Sequence, residues 1–299
     1  MLHASRFPRT RTGVSLLVAV ALLLVGYPVV GYPAALGEEP STAEWTGRGD
    51  ATFAERHVLE KMLEAIDAYE AVLPNLESEP LEVQAFVLNR LAQLHYELTT
   101  FTPGDTPEDE EVFRRGREYG LRSLRLNPAF AALEEDGFEE AVATVSDPAA
   151  LLWTADNWGA LLDYNPISGL LYLGRVRALY ERCLAVDEDY WGASAHNALG
   201  AMFIVTPAAL GGDEEAGRTH LEEALSIAPT YLLNHVVYAQ YWGFTYDLFG
   251  NVTGVRDAAF IEEQLRIVLE APIGEWPFWN REAKREAEAL LSDLRERAE

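Results

Sequence analysis

Apolar side chains recur at intervals of three and four residues along most of this chain. Met62, Ile66 and Tyr69 mark the first clear stretch. Such spacing places one apolar stripe along a helix. No segment alternates with a period of two and no Asn-Gly turn separates two apolar runs, so the pattern predicts no sheet. We predict about ten or eleven helices, which cover residues 58–73, 81–101, 109–127, 130–146, 148–164, 167–187, 190–206, 213–227, 231–249, 255–270 and 278–297.

A short motif ends three of these helices. Residues 123–130, 183–190 and 224–231 align as a small residue, an apolar pair two apart, a turn and an aromatic residue. The second helices of tetratricopeptide-type hairpins end in this way, because the small residue lets two helices approach. Stacked hairpins form concave surfaces that usually bind partners. The motif recurs after 60 and then 41 residues, so we predict an irregular all-α, tetratricopeptide-like solenoid.

The start of the chain has the pattern of an export signal. Three arginines precede an uncharged run over residues 13–30, and Ala35 and Gly37 supply small side chains before a cleavage site. This order of features is typical of a secretory signal. We therefore predict a signal peptide over residues 1–37. An uncleaved membrane anchor is the alternative, because the run is long and apolar.

The rest of the chain divides into two predicted parts. Residues 38–52 are polar and contain glycine and proline, which favours a linker, and residues 53–299 form one helical domain. An export signal places that domain outside the cytoplasm, which in a Gram-negative cell is the periplasm. No cysteine follows the apolar run, so bacterial lipidation is excluded there.

The charge of the chain is strongly acidic. The net charge is −25, and residues 38–299 carry 48 acidic against 20 basic residues. Such a surface repels nucleic acid and anionic lipid headgroups, so we predict no nucleic-acid partner. Two interpretations of the acidic residues are open. They serve only to keep the protein soluble, or they attract a partner with a basic patch. Cys183 is the single cysteine and occupies the small-residue position of the motif, which predicts packing.

No established catalytic or cofactor motif is present. The six histidines include no pair at i, i+4, and the sequence has no phosphate-binding or nucleophile-elbow glycine pattern. We therefore predict no metal, no cofactor and no enzymatic activity. Helix capping and turn formation explain adjacent acidic residues such as residues 213–215. Two carboxylates across a tryptophan-lined cleft would instead support a glycosidase.

Aromatic and amide side chains supply the candidate ligand site. Tryptophan and tyrosine combine an apolar face with one polar atom, which suits a pocket for an organic ligand. Ordinary helix packing is the alternative for the group, and it is the interpretation of Trp276 and Trp279 beside Pro277. The candidate ligand-binding residues are Trp153, Asn157, Trp158, Trp191, His196, Asn197, His235, Tyr238, Tyr241 and Trp242.

From Leu151 to Pro272 the chain resembles the T-component (TatT-like) family of TRAP transporters. The most specific piece is the Leu-Gly-Gly-Asp turn that ends at Asp213. The residues that carry the resemblance are Leu152–Ala155, Trp158-Gly159, Leu184–Ala193, His196, Leu199-Gly200, Pro207–Asp213, Ala216, His220–Leu225, Tyr238–Tyr241 and Val268-Leu269.

The resemblance implies an all-helical periplasmic protein that can form a homotrimer. It also implies association with a TRAP-type solute-binding protein, and a pore or cleft for a small organic or hydrophobic ligand. Members of the family are often lipoproteins, and this chain lacks the acceptor cysteine. A secreted interaction scaffold with no transport role is the alternative function, and a cavity for a small ligand would separate the two.

Overall fold

The structure, a computed structural model, describes residues 40–102, 106–164, 166–247 and 250–298. Thirteen α-helices lie within these ranges, so the predicted all-α class is confirmed. The predicted signal peptide lies outside the described residues. The helices are α1 (Thr42–Phe53), α2 (Leu59–Glu70), α3 (Leu81–Leu98), α4 (Pro107–Leu124), α5 (Pro128–Leu133), α6 (Phe138–Ala143), α7 (Pro148–Tyr164), α8 (Pro166–Val186), α9 (Tyr190–Val205), α10 (Glu214–Ile227), α11 (Leu233–Gly243), α12 (Ala258–Glu270) and α13 (Trp279–Ala298).

Helix α1 lies where the sequence predicted a linker. It begins with a capping box, in which the Ser41 hydroxyl accepts from the Glu44 N–H and the Glu44 carboxylate accepts from the Ser41 N–H. Gly49 faces the Tyr69 ring so closely that a Cβ would lie 2.7 Å from it. The linker prediction is wrong here, because capping and packing on α2 outweigh the low helix propensity of glycine.

The small residues of the repeat motif lie at helix contacts. Ser123, Cys183 and Ala224 are all buried. Gly200 of α9 and Gly217 of α10 face each other, and a Cβ on either would lie within 3.0 Å of the other's carbonyl oxygen. These two helices therefore pack with their backbones close together, and the hairpin architecture predicted from the motif is confirmed.

The Leu-Gly-Gly-Asp turn ends as the sequence predicts. The Asp213 carboxylate accepts from the N–H groups of Glu215 and Ala216, both at 3.1 Å, and so caps α10. Gly212 is required, because a Cβ there would lie 1.7 Å from the Thr206 carbonyl oxygen. The turn thus fixes where α10 starts relative to α9.

Replacement of the cap should have a moderate effect. We expect Asp213→Ala to lower the free energy of unfolding by about 1 kcal/mol, because two helix N–H groups lose their acceptor. Urea unfolding followed by circular dichroism measures this change. Glu223→Ala is the control, since Glu223 lies exposed in the middle of α10. Equal losses in the two variants would show that the cap has no special role.

Two predicted helices differ from the structure. The segment 130–146 is divided into α5 and α6 by a turn that ends at Gly137. The segment 231–249 is helical only to Gly243.

A small hairpin follows α11, against the prediction of no sheet. Strand β1 (Phe244–Tyr246) pairs antiparallel with β2 (Val252–Val255). The Gly243 carbonyl accepts from two N–H groups that follow β2, at 2.8 and 3.2 Å, which ends the helix. Both strands are rich in β-branched and aromatic residues. They are too short to show a period of two, which is why the sequence pattern missed them.

Helix α13 closes the solenoid against its beginning. The Trp279 indole N–H donates to Glu97 of α3 at 3.0 Å, and Arg285 donates to the Thr100 carbonyl at 2.6 Å. The Asn280 amide oxygen accepts from the Leu232 N–H at 2.9 Å. The last described helix therefore encloses a space with the earlier ones. None of the helices in the described ranges has both the length and the apolar composition needed to cross a bilayer.

Candidate functional site

A cavity of about 80 Å³ lies where α13 meets the earlier helices. Its walls come from α3 and the turn after it, and from α7, α8, α9, α11 and α13. An engineered cavity of about 150 Å³ admits benzene, so this cavity has room for a ligand of a few heavy atoms. Aromatic side chains dominate the lining, namely Tyr96, Trp153, Tyr180, Trp191, Tyr231, Tyr241 and Trp279.

The aromatic rings contact each other mainly edge to face or tilted. The Trp153 and Trp191 ring centroids are 5.2 Å apart with planes at 79°. The Tyr96 ring lies 6.2 Å from Trp153 and 6.1 Å from Trp279. Such pairs stabilise one another beyond simple burial. The walls of the cavity are thus held in place by the same contacts that build the core.

A left-handed turn positions Trp191. Trp191, Gly192 and Ala193 have φ values of 51°, 68° and 60°, inside the segment that forms α9. Two of these residues are not glycine, and each costs roughly 1–2 kcal/mol in this conformation. A Cβ on Gly192 would lie 2.6 Å from the Tyr231 ring. The turn therefore brings Trp191 and Tyr231 together at the cavity, and the surrounding contacts hold the strained backbone.

Asn234 is the main polar support of this turn. It is fully buried, and its side-chain N–H groups donate to the carbonyls of Gly192 at 3.2 Å and Ala224 at 2.8 Å. Its amide oxygen accepts from Asn197 at 2.6 Å. The hydrogen bond from Asn197 to Asn234 therefore connects the cavity wall to the turn.

Two polar atoms at the cavity have no hydrogen-bond partner among the described residues. They are Oδ1 of Asn197, whose residue is only 6% exposed, and Nε1 of Trp191. Both residues line the cavity. A buried polar atom without a partner costs about 1–3 kcal/mol, so these atoms indicate a site for a polar group from a ligand or for water.

Asp156 and Glu286 are the acidic residues of the lining. The Tyr180 hydroxyl donates to the Asp156 carboxyl at 2.7 Å. Burial raises the pKa of Asp156 to about 7, although the Tyr180 hydrogen bond lowers it. Burial beside Asp156 also raises the pKa of Tyr180 well above its usual value. Asp156 therefore changes its charge near neutral pH.

The Asp156 pKa predicts a pH dependence of stability. The folded protein keeps this proton up to about pH 7, whereas the unfolded chain releases it near pH 4. The free energy of unfolding therefore falls as the pH rises from about 4 to about 7. We expect Asp156→Asn to be more stabilising at pH 8 than at pH 5 in urea unfolding. Asp136→Asn, at an exposed position in the turn after α5, is the control. The same change at both pH values would contradict the expectation.

An ion pair lies next to the cavity. Glu97 and Arg56 are 0% and 8% exposed, and the Arg56 Nε donates to Glu97 at 2.6 Å. The Arg56 guanidinium lies 4.0 Å from the Phe53 ring centroid and 5.9 Å from that of Trp191. Because Glu97 also accepts from Trp279, this pair connects the turn after α1 with α3 and α13.

The structure brings four of the ten predicted site residues together. Trp153, Trp191, Asn197 and Tyr241 line the cavity. Their role in ligand binding stays a prediction.

The other six predicted site residues lie elsewhere. Asn157 is fully buried and donates to the Ala92 and Trp153 carbonyls. Trp158 packs 5.5 Å from Phe138. These two side chains make core contacts between helices.

The remaining four predicted residues lie outside the cavity lining; His196 and Tyr238 are buried, and His235 and Trp242 are partly buried. His196 contacts His220 at 2.8 Å, and His235 contacts Gln264 at 2.7 Å. The Tyr238 hydroxyl donates to Glu222 at 2.8 Å. The Arg256 guanidinium lies over the Trp242 ring, 4.4 Å from the ring centroid. No group of three or more histidine, cysteine or acidic side chains in the described ranges is placed to hold a metal ion.

Sequence reasoning missed several cavity residues. The sequence indicates Tyr231 only as the aromatic residue that ends a repeat motif, and Trp279 only as a packing residue beside Pro277. Helix α7 has two acidic residues, Asp156 and Asp163, and Asp156 interrupts an otherwise apolar stretch, which is a usable signal. The position of Glu286 had no signal, because it depends on how α13 docks.

A closed helical-repeat protein with an aromatic cavity is the class that this fold and site define. The family model for the TRAP transporter T-component (TAtT) matches residues 109–296. This chain belongs to that family. A comparison with curated proteins finds no match to it. The family identifies the chain as a component of a transporter system.

Proposed function

We propose that this protein is an extracytoplasmic accessory subunit of a TRAP-type uptake system. It binds the solute-binding protein of that system, and it holds a small organic ligand in the aromatic cavity before passing it on. The observation that carries the ligand part is the cavity itself, with seven aromatic residues and the unpartnered Oδ1 of Asn197. Family membership supports the partner.

Export and trimer formation belong to the same proposal. The apolar run over residues 13–30 supports export to the periplasm. A homotrimer would place three cavities in one assembly. The strongly acidic composition supports a partner with a basic patch, whose approach should slow at high salt.

The first test is the mass of residues 38–299 in solution. Light scattering is measured for the protein alone and mixed with a TRAP-type solute-binding protein from the same organism. We expect a trimer that captures this partner, and a capture rate that falls as salt is raised. A monomer that does not bind the partner would contradict the transport role and favour the scaffold.

The size of the cavity argues against a glycosidase. Asp156 and Glu286 do line one tryptophan-rich cavity, which is the arrangement that such an enzyme uses. However, about 80 Å³ is roughly half the cavity volume that admits benzene. A sugar ring with its leaving group is larger than benzene, so binding a small ligand fits this site better.

A further inference from the structure

Two leucines, a tyrosine and two arginines form an exposed patch on α8 and α4, away from the aromatic cavity. Leu170, Leu171 and Tyr172 are 54%, 78% and 38% exposed, and Arg117 and Arg175 lie beside them. We propose that this arginine–leucine patch, made of these five residues, is the surface through which one copy of this protein binds a second copy. The inference rests on the homotrimer of the proposed function, and it names a surface that forms the assembly.

Ring contacts make the arginine–leucine patch continuous. The Arg175 guanidinium lies 5.7 Å from the Tyr172 ring centroid, and the Arg117 guanidinium lies 5.5 Å from that of Trp158. The ring centroids of Trp158 and Tyr172 are 5.5 Å apart. Leu171 and Arg175 are one helical turn apart on α8, so they share a face of that helix. The buried Trp158 ring therefore joins both arginines to the exposed apolar residues.

The exposed apolar residues favour a protein partner. Leu170, Leu171 and Tyr172 are consecutive, and contiguous apolar patches on soluble proteins mark interaction sites. Arginine and tyrosine are among the residue types that carry most of the binding energy at interfaces. An apolar centre with charged residues at its edge is also the usual anatomy of such a surface.

The two arginines of the patch have no acidic partner among the described residues. Arg117 and Arg175 contact aromatic rings and form no ion pair there, although residues 38–299 carry 48 acidic against 20 basic residues. The Arg117 Nε atom is buried and has no hydrogen-bond partner in the same part of the chain. Burial and the nearby Arg114 lower the pKa of Arg117. A carboxylate from another molecule would compensate this partly desolvated charge.

A second copy supplies the carboxylates that the patch lacks. The surface of this chain is rich in acids, whereas the solute-binding protein of the proposed function presents a basic patch, which Arg117 and Arg175 would repel. Arginines also repel arginines, so the patch does not face the same patch of another copy. It meets an acidic surface of the next copy instead, and head-to-tail contacts of this kind close into rings such as trimers.

Light scattering of residues 38–299 over a range of concentrations, with two patch variants, tests the proposal. Leu171→Asp places a carboxylate against the acidic surface of the next copy, and Arg175→Glu reverses a charge of the patch. Each should raise the dissociation constant of the assembly at least about tenfold, the effect of losing a central interface residue. Arg175→Lys keeps the charge and should retain most of the assembly. Circular dichroism should show the helices unchanged in Leu171→Asp, since Leu171 is exposed.

Leu81→Asp and Arg48→Glu are the matched controls. Leu81 is 59% exposed at the start of α3. Arg48 lies 4.7 Å from the Trp45 ring centroid and, like Arg175, forms no ion pair with a described residue. Neither control should change the mass in solution, because both residues lie outside the patch. Controls that dissociate the assembly as strongly as the patch variants would show a general effect of added negative charge and would overturn the proposal.

Thiol labelling measures the same surface independently. The single cysteine, Cys183, is buried, so Leu171→Cys adds an exposed thiol against little background. We expect a maleimide to label this thiol more slowly when the protein is concentrated enough to assemble than when it is dilute. Leu81→Cys should react at the same rate under both conditions. Equal rates for Leu171→Cys in the assembled and dilute protein would exclude Leu171 from the interface.

The outcomes distinguish this inference from the proposed function. A parent protein that stays monomeric, or patch variants that keep the mass of the assembled parent, would overturn the second copy as the occupant. If such variants instead lost capture of a TRAP-type solute-binding protein, or binding to vesicles of anionic phospholipid, the patch would belong to that partner. Capture of the solute-binding protein by the parent protein judges the transport role separately, whatever the mass of the parent.

Discussion

Glu97→Ala should destabilise the protein by about 3–5 kcal/mol, the effect of leaving a buried charge without its partner. The variant leaves the buried Arg56 guanidinium without its partner. It also removes the hydrogen-bond acceptor of the Trp279 indole and of the Gln93 amide. The loss should appear as a lower urea midpoint. Because Glu97 connects α3 to α13, near-ultraviolet circular dichroism should also change as the tryptophans near the cavity lose order.

An exposed ion pair provides the control. Lys61 and Glu64 are 2.6 Å apart on α2 and both are exposed, so Glu64→Ala should cost less than about 1 kcal/mol. A double variant, Arg56→Met with Glu97→Leu, should recover part of the loss, because no uncompensated charge stays buried. If Glu97→Ala lowered the free energy of unfolding as little as Glu64→Ala does, the buried pair would not stabilise the packing of α13.

Gly192→Ala should destabilise the protein by about 2–4 kcal/mol. The alanine would have to adopt a left-handed backbone conformation, and its Cβ would lie 2.6 Å from the buried ring of Tyr231. The ring has little room to move, since Tyr231 is only 1% exposed and packs 4.8 Å from Trp276. The variant should also lose ligand binding, because Tyr231 and Trp191 both line the cavity.

Gly47→Ala is the matched control and should change stability in the opposite direction. Gly47 lies within α1, and a Cβ there meets nothing within 4 Å. Alanine is the better helix former by about 1 kcal/mol, so this variant should be more stable than the parent protein. Destabilisation of both variants to the same extent would exclude the left-handed turn as the cause.

The helices could be predicted where capping and periodicity agree. Asp213 and the Asp147-Pro148 start fixed two helix beginnings, and the small residues of the motif identified helix contacts that the structure confirms. The two-residue period of β1 and β2 was not visible in such short strands. The turn at Trp191 was not predictable either, because tryptophan and alanine do not favour a left-handed backbone and only tertiary contacts hold them there.

The candidate site was predictable only in part, for a related reason. Trp153 and Asn197 occupy inward positions of single helices, which a helical pattern can indicate. The contributions of Asp156, Tyr180 and Glu286 depend on how separate helices meet. The contact between Trp279 and Glu97 joins residues 182 positions apart, and no local pattern carries that information.

The closure by α13 has a consequence for the order in which the protein matures. A ribosome makes the walls from α3 to α11 first, and the wall with Trp279 and Glu286 last. A nascent or truncated chain that stops before Trp279 has most of the helices but an open groove in place of the cavity. If the cavity holds a ligand as proposed, its retention would report that the chain is complete to α13, because cleavage before this helix would open the cavity and remove the contacts of Trp279 with Glu97 and of Asn280 with Leu232.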